Sequence, residues 1–232
     1  MPATAKPTLL IAAPGSGQGK TAITAGLARA LVQQGDKVAV FKLGPDFLDP
    51  QILAAASGQA VYQLDAWMKG MDDCQNRLAK AAQQADILLI ESAMGLFDGT
   101  PSAADFARAL NLPILLIIDA SRMAQSFAAI ANGMLGFDPS LKFFAVAANR
   151  VASDRHAYLI KQKLPKTIPL CAVVARNNAA HLPARHLGLM QAQEITDLQR
   201  RLDILAEQIT ASGMLQNWPP PQVSYKEPLP AS

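Results

Sequence analysis

Residues 14–21 read Pro14-Gly15-Ser16-Gly17-Gln18-Gly19-Lys20-Thr21, directly after an apolar run at 9–13 and at the head of a segment with helical spacing at 21–33. Strand, glycine-rich loop and helix in this order form a phosphate cradle. Backbone N–H groups converge on phosphate oxygens, the helix N-terminus adds positive potential, Lys20 brings charge to the outer phosphates and Thr21 offers a hydroxyl to Mg2+. Pro14 stands where the full G-x-x-x-x-G-K-[ST] pattern has its first glycine, yet the stretch from Ser16 to Thr21 is intact. A nucleotide is therefore the expected ligand, with Ser16, Gly17, Gln18, Gly19, Lys20 and Thr21 as its contacts.

Outward from this loop, strand-like runs at 37–41, 87–90, 114–118, 143–148 and 170–174 alternate with helical patterns at 73–84, 103–110, 124–135, 155–163 and 192–209. Such alternation predicts an α/β fold, a mostly parallel sheet with helices on both faces. The strand runs are nearly unbroken Ile, Leu and Val, as burial on both sides requires. Ligands of such sheets bind beyond the carboxyl ends of the strands. Polar residues stand at those ends: Lys42 and Asp46, then Glu91, Asp119 and Asn149.

Half of the 232 residues are hydrophobic and 17% are charged, enough for one large domain and against extended disorder. The net charge of +3 comes without a basic run, so nucleic acid and anionic lipid are not expected partners. Cys74 and Cys171 lie far apart with no metal-ligand spacing, and the first residues carry no apolar signal region. The longest apolar stretch, 114–118, is far below the ~20 residues of a membrane span. The expectation is a cytoplasmic domain over 1–212, followed by a proline-rich tail or linker over 213–232.

Two further segments carry chemistry. Phe41-Lys42-Leu43-Gly44-Pro45-Asp46-Phe47-Leu48-Asp49-Pro50 gathers a lysine and two carboxylates around a Gly-Pro turn; solvated turn chemistry is the plain alternative. Glu91-Ser92-Ala93-Met94-Gly95-Leu96-Phe97-Asp98-Gly99 ends a buried strand on a carboxylate and sets another on a glycine-rich loop. A carboxylate there needs a partner, either a structural salt bridge or Mg2+.

With Leu64-Asp65-Ala66-Trp67-Met68, the segment 119–126, Asn149-Arg150-Val151 and the segment 183–189, these stretches resemble the amino-terminal synthetase domain of the cobyrinic acid a,c-diamide synthase family, a P-loop fold of the dethiobiotin synthetase-like type. The resemblance implies ATP-dependent amidation of the a and c acetate carboxylates of a corrin precursor, in cobalamin biosynthesis, through acyl phosphates. It implies Lys20, Lys42, Asp46, Asp49 and Asp98 as catalytic residues, with Asp49 and Asp98 facing the reacting carboxylate. Thr21, Asp46 and Glu91 would hold Mg2+, and Asn149 would hydrogen-bond adenine. Arg185 and His186 are candidate substrate contacts.

The family's ammonia comes from a following class I glutamine amidotransferase domain. No cysteine follows Cys171, which lies in an apolar strand, so ammonia is expected from outside this chain, either free or from a separate amidotransferase subunit. A homodimer and a tetrapyrrole polycarboxylate substrate are the other expected associations. Ile52-Leu53 replaces an aromatic-His pair, Ser92 replaces a glycine, and Gly15 stands where partitioning ATPases carry a second lysine. Two readings stay open beside amidation: dethiobiotin synthetase-type carboxylation and cyclisation, and a non-catalytic nucleotide-dependent partner subunit.

Overall fold

The computed structural model describes residues 4–46, 48–182, 195, 197–226 and 228. Strands β1 (Thr4–Ala12), β2 (Val38–Leu43), β3 (Tyr62–Leu64), β4 (Ile87–Ser92), β5 (Pro113–Asp119), β6 (Lys142–Val151), β7 (Leu170–Ala175) and β8 (Gln222–Tyr225) form one sheet. Its order is β3-β2-β4-β1-β5-β6-β7, parallel throughout, and β8 adds antiparallel to the first residues of β1. The helices are α1 (Lys20–Gln33), α2 (Asp49–Ser57), α3 (Gly70–Ala82), α4 (Ala103–Leu110), α5 (Ser126–Phe137), α6 (Asp154–Gln162) and α7 (Leu198–Ala211).

Because side chains alternate along a strand, the sheet feeds two cores. Leu10 and Ala12 of β1 pack with Leu78 of α3, Phe106 of α4, Phe127 of α5 and Ile160 of α6. Leu9 and Ile11 pack on the other face with Ile23 of α1, Leu53 of α2, and Leu202 and Ile209 of α7. All eight sheet and helix side chains named at Leu9–Ala12, Leu53, Leu78, Phe127 and Leu202 are fully excluded from water. The expected α/β architecture with helices on both faces is therefore the observed one. Among the described residues no helix is long and apolar enough to cross a membrane.

Three elements depart from the sequence reading. The segment after Asp46, expected as a turn, becomes α2, with Pro50 in its first turn where a missing N–H costs nothing. The short edge strand β3 is too brief to show an alternation. Within the stretch expected to be a linker or frayed end, residues 222–225 form β8: Val223 and Tyr225 are buried, and the Tyr225 hydroxyl shares a 2.7 Å hydrogen bond with Thr8 Oγ1.

The register carries the chemistry. β2 and β4 run further than their apolar cores, so Lys42 and Glu91 are strand residues and stand opposite one another. Glu91 also pairs with Ile11, just before the glycine-rich loop, and Asp119 pairs with Asn149 two strands away.

Candidate nucleotide and phosphoryl-transfer site

At the carboxyl ends of β2 and β4, Lys42 Nζ donates to Glu91 Oε1 and Asp49 Oδ2, both at 2.7 Å, and lies 3.4 Å from Asp46 Oδ2. Thr21 Oγ1, in the first turn of α1, lies within hydrogen-bond distance of the same two carboxylate oxygens, 2.7 Å from Glu91 and 3.0 Å from Asp49, and shares its one proton between them. Lys42 is 1% exposed and Glu91 fully buried, so these charges meet in a low-dielectric setting. Burial opposes the charge on Lys42, but Glu91 and Asp49 outweigh it and hold its pKa above the ordinary lysine value. Burial pushes the Glu91 pKa up against the pull of Lys42, and Asp49 adds to the rise.

Asp46 is held by the turn that starts α2. Its Oδ1 accepts from the N–H groups of Leu48 at 3.1 Å and Asp49 at 3.3 Å, while its carbonyl accepts from Gln63 Nε2. Its other oxygen faces Lys42. Glu91 Oε2 is buried without a hydrogen-bond partner among the described residues, an acceptor whose burial a cation would offset. No group of three or more His, Cys, Asp and Glu among the described residues is placed to hold a metal by protein donors alone. Mg2+ suits such a site because it keeps waters and substrate phosphates in its shell.

The loop 14–21 lies beside this cluster. Gly19, the residue before α1, has φ 89° and caps the helix with no side-chain bond, so the first-turn amides point at the cradle without a side-chain acceptor. A Cβ on Gly19 would fall 2.3 Å from Asn149 Nδ2, so any side chain there would push the Asn149 amide aside and would strain the positive-φ backbone. Lys20 is 6% exposed and folds back on the loop, donating to Gly15 O at 3.1 Å. Burial lowers its pKa, Glu91 opposes that, and the charge of Lys42 reinforces it. Ser16 and Gly17 are exposed at the loop's crest.

The glycine-rich loop after β4 closes the other side. Leu96 N donates to Ala13 O at 2.8 Å, and a Cβ on Gly95 would fall 2.7 Å from Pro14 O and 2.3 Å from Asp98 Oδ2. Asp98 Oδ2 accepts from Gly95 N at 3.1 Å. The missing side chain at Gly95 therefore brings Asp98 against the start of the phosphate loop.

Across the sheet, β5 and β6 brace the crest. Asn149 Nδ2 donates to Gln18 O at 2.9 Å, and Asp119 N donates to Gln18 Oε1 at 2.7 Å. Arg150 has φ 57° and accepts this left-handed backbone in order to donate to both Gly17 O and Asp119 Oδ2. Burial opposes the charge of Asp119, yet the Ser121 amide and hydroxyl, with Arg150, hold its pKa below the usual carboxylate range.

The model of the CobQ/CobB/MinD/ParA nucleotide binding domain family matches residues 9–189. The chain belongs to this family. A hydrogenobyrinate a,c-diamide synthase of Stutzerimonas stutzeri is 52% identical over 226 residues, 97% of this chain and 52% of that protein. A cobyrinate a,c-diamide synthase of Herminiimonas arsenicoxydans is 48% identical over 87% of this chain and 45% of its own length. The chain thus spans about half the length of the curated relatives it matches. Among solved structures, a ParA family ATPase of Chlorobium tepidum has a TM-score of 0.55 at 15% identity, covering 90% of this chain and 97% of its own. The signal recognition particle receptor FtsY of Elizabethkingia anophelis has a TM-score of 0.57 at 15% identity, covering 85% of this chain and 66% of its own. Both show the P-loop fold alone.

Within this nucleotide binding domain, the expected residues Thr21, Lys42, Asp46, Asp49 and Glu91 come together in one cluster of hydrogen bonds and ion pairs, with Lys20 on the phosphate loop beside it and Asp98 on the loop after β4. Asp49, expected on the substrate side, shares Thr21 and Lys42 with Glu91. Asn149, expected at adenine, spends its amide on Gln18 O and the Arg150 N–H. Arg150 itself had no assigned role in the sequence reading; its only signal was its place beside Asn149 at a strand end. Arg185, His186 and Phe47 lie outside the described residues.

Proposed function

We propose that this domain binds MgATP and activates a carboxylate of a tetrapyrrole polycarboxylate, hydrogenobyrinic or cobyrinic acid, as an acyl phosphate that ammonia converts to an amide. The observation that carries this is the buried Lys42 held between Glu91 and Asp49, with Thr21 bonded to both, at the mouth of the phosphate loop. The names of the half-length-matched relatives supply the substrate class.

A substrate carboxylate oxygen attacks the γ-phosphorus of ATP, the bond to the bridging oxygen breaks, and ADP leaves. Ammonia's lone pair then attacks the acyl carbon. Phosphate departs with one former carboxylate oxygen, and a proton from nitrogen leaves with it. Two anions must approach in the first step, so Lys20 and Lys42 offset the charge on the phosphoryl oxygens. The lowered pKa of Lys20 and the raised pKa of Lys42 divide the work: Lys42 is a fixed charge, and Lys20 is a cation that burial makes ready for an anion. Thr21, Glu91 and one of Asp46 and Asp49 would hold Mg2+, which supplies electrostatic neutralisation of the phosphates. Asp98, whose Oδ2 is held by the Gly95 N–H, would face the reacting carboxylate or the intermediate formed from it.

The purified chain, given MgATP, ammonium and hydrogenobyrinic acid, is expected to release ADP in proportion to amide formed, with Lys20→Ala abolishing both. ADP release that ignores the acid would overturn the assignment.

A further inference from the structure

Beside the charged cluster, a cavity of about 340 Å3 opens between the ends of β2, β3 and β4. Leu43, Leu64, Ala66, Met94 and Phe106 give it an apolar wall, and Trp67 stands at its edge. Among the described residues, none that lines it is Lys, Arg or His. Its carboxylates are engaged within the protein: Asp65 Oδ1 accepts from the Trp67 and Met68 N–H groups at 3.0 and 2.9 Å, and Asp98 Oδ2 from Gly95. Ser92 Oγ is likewise turned onto Met94 O at 3.1 Å. The cavity therefore suits an apolar body, and its described lining offers no cation to a carboxylate.

Three large apolar side chains are left in water around it: Trp67 at 78% exposure, Met68 at 71% and Met94 at 49%. Trp67 and Met68 are fixed on the turn that Asp65 caps, and Met94 Cε lies where a Cβ on Gly99 would be only 2.7 Å away. An exposed cluster of this kind, held on ordered turns next to a reactive centre, marks a ligand surface. Its place is also telling, because Leu43 and Ser92 of the cavity wall directly follow Lys42 and Glu91 of the cluster.

The geometry points to Trp67, Met68 and Met94 as the platform on which the apolar face of the tetrapyrrole ring rests, with one ring edge in the cavity and its acetate arm directed at the Lys20–Lys42 cleft. This rests on the amidation reading and adds how the macrocycle is recognised. The volume admits an edge of the ring, since whole-ligand pockets run from about 300 to 1,000 Å3. The flat indole offers the offset stacking that π-systems favour. Among the described residues, the cavity provides no cation for the substrate's other carboxylates.

The test is a titration of the full chain with hydrogenobyrinic acid in the presence of Mg2+ and a non-hydrolysable ATP analogue, read by calorimetry and by tryptophan fluorescence. Wild type is expected to bind with strong quenching, and Trp67→Phe to bind while losing most of the quench. Trp67→Ala is expected to bind the acid about tenfold more weakly, the lower end of what an aromatic anchor contributes, with unchanged affinity for the nucleotide. Full affinity in Trp67→Ala, with wild-type binding present, overturns the platform and leaves amidation standing. Absence of binding in wild type overturns both. Because Trp67 is exposed, its variants are expected to melt with wild type, and loss of nucleotide binding in Trp67→Ala would count against a role confined to the ring.

Discussion

Replacing Lys42 by Met keeps most of the buried aliphatic stem and removes the charge that Glu91, Asp49 and Asp46 share. Two charge-assisted hydrogen bonds at 2.7 Å are lost. Each is worth about 1.5–3 kcal/mol. Asp49 is part-exposed, so water recovers some of its share, whereas Glu91 is fully buried and cannot be rehydrated. The expected loss is about 3–5 kcal/mol, the range for stranding a buried charge. For a domain of this size that lowers Tm by roughly 6–20 °C.

The loss depends on pH, and the signs follow from the two shifts. Glu91's folded pKa is raised, so the fold favours its protonated form, and that contribution falls as pH rises from the unfolded carboxylate value through the folded one. Lys42's folded pKa is also raised, so its contribution is present below the ordinary lysine value and is lost as pH rises through the folded value. In Lys42→Met the Glu91 proton is held more tightly still. The deficit against wild type is therefore expected to shrink in acid, where Glu91 is neutral, and to be full at neutral pH. Urea unfolding of both proteins across this range measures it. Equal stability at neutral pH, or a deficit that ignores pH, would refute the view of Lys42 as the counter-charge of the buried Glu91.

Gly19→Ala forces a left-handed residue at about 1–2 kcal/mol and displaces Asn149 from Gln18 O at about 0.5–1.5 kcal/mol, so unfolding stability measured in urea should fall by about 1.5–3.5 kcal/mol. Adding Asn149→Ala removes the atom that the new methyl strikes and is expected to recover part of the loss; strictly additive losses would contradict the clash. Arg150→Ala frees Gly17 O and Asp119, and because the guanidinium is 41% exposed the expected cost is only about fivefold in ADP affinity. Unchanged affinity would mean that the bracket from β6 does not shape the loop. Tyr225→Phe removes the buried bond to Thr8 and should lower unfolding stability by about 0.5–1.5 kcal/mol, while an unchanged urea midpoint would speak against β8 as a docked strand.

Much of this site is written in local sequence, because a parallel strand buried on both faces reads as an apolar run and its first polar residue marks the sheet's active edge. Lys42, Glu91, Asp119 and Asn149 are found by that rule alone. Other parts need contacts that no local pattern encodes. Asp49 reaches Thr21 only because residues 49–57 wind into α2, a helix hidden behind a Gly-Pro turn signal. Arg150 depends on a left-handed backbone that favours glycine and asparagine, so its residue type gives no warning. The pairing of β8 with β1 joins opposite ends of the chain, and an alternation of four residues among prolines is too short to announce it.

We propose that the site formed by Lys20, Thr21, Lys42, Asp49 and Glu91 transfers phosphate onto a substrate carboxylate. Hydrogenobyrinic acid with heavy oxygen in its carboxylates, incubated with this chain, MgATP and ammonium, tests it by mass spectrometry of the inorganic phosphate. One heavy oxygen in the phosphate is expected for each amide formed; amide formed with unlabelled phosphate would rule out phosphate transfer to the carboxylate.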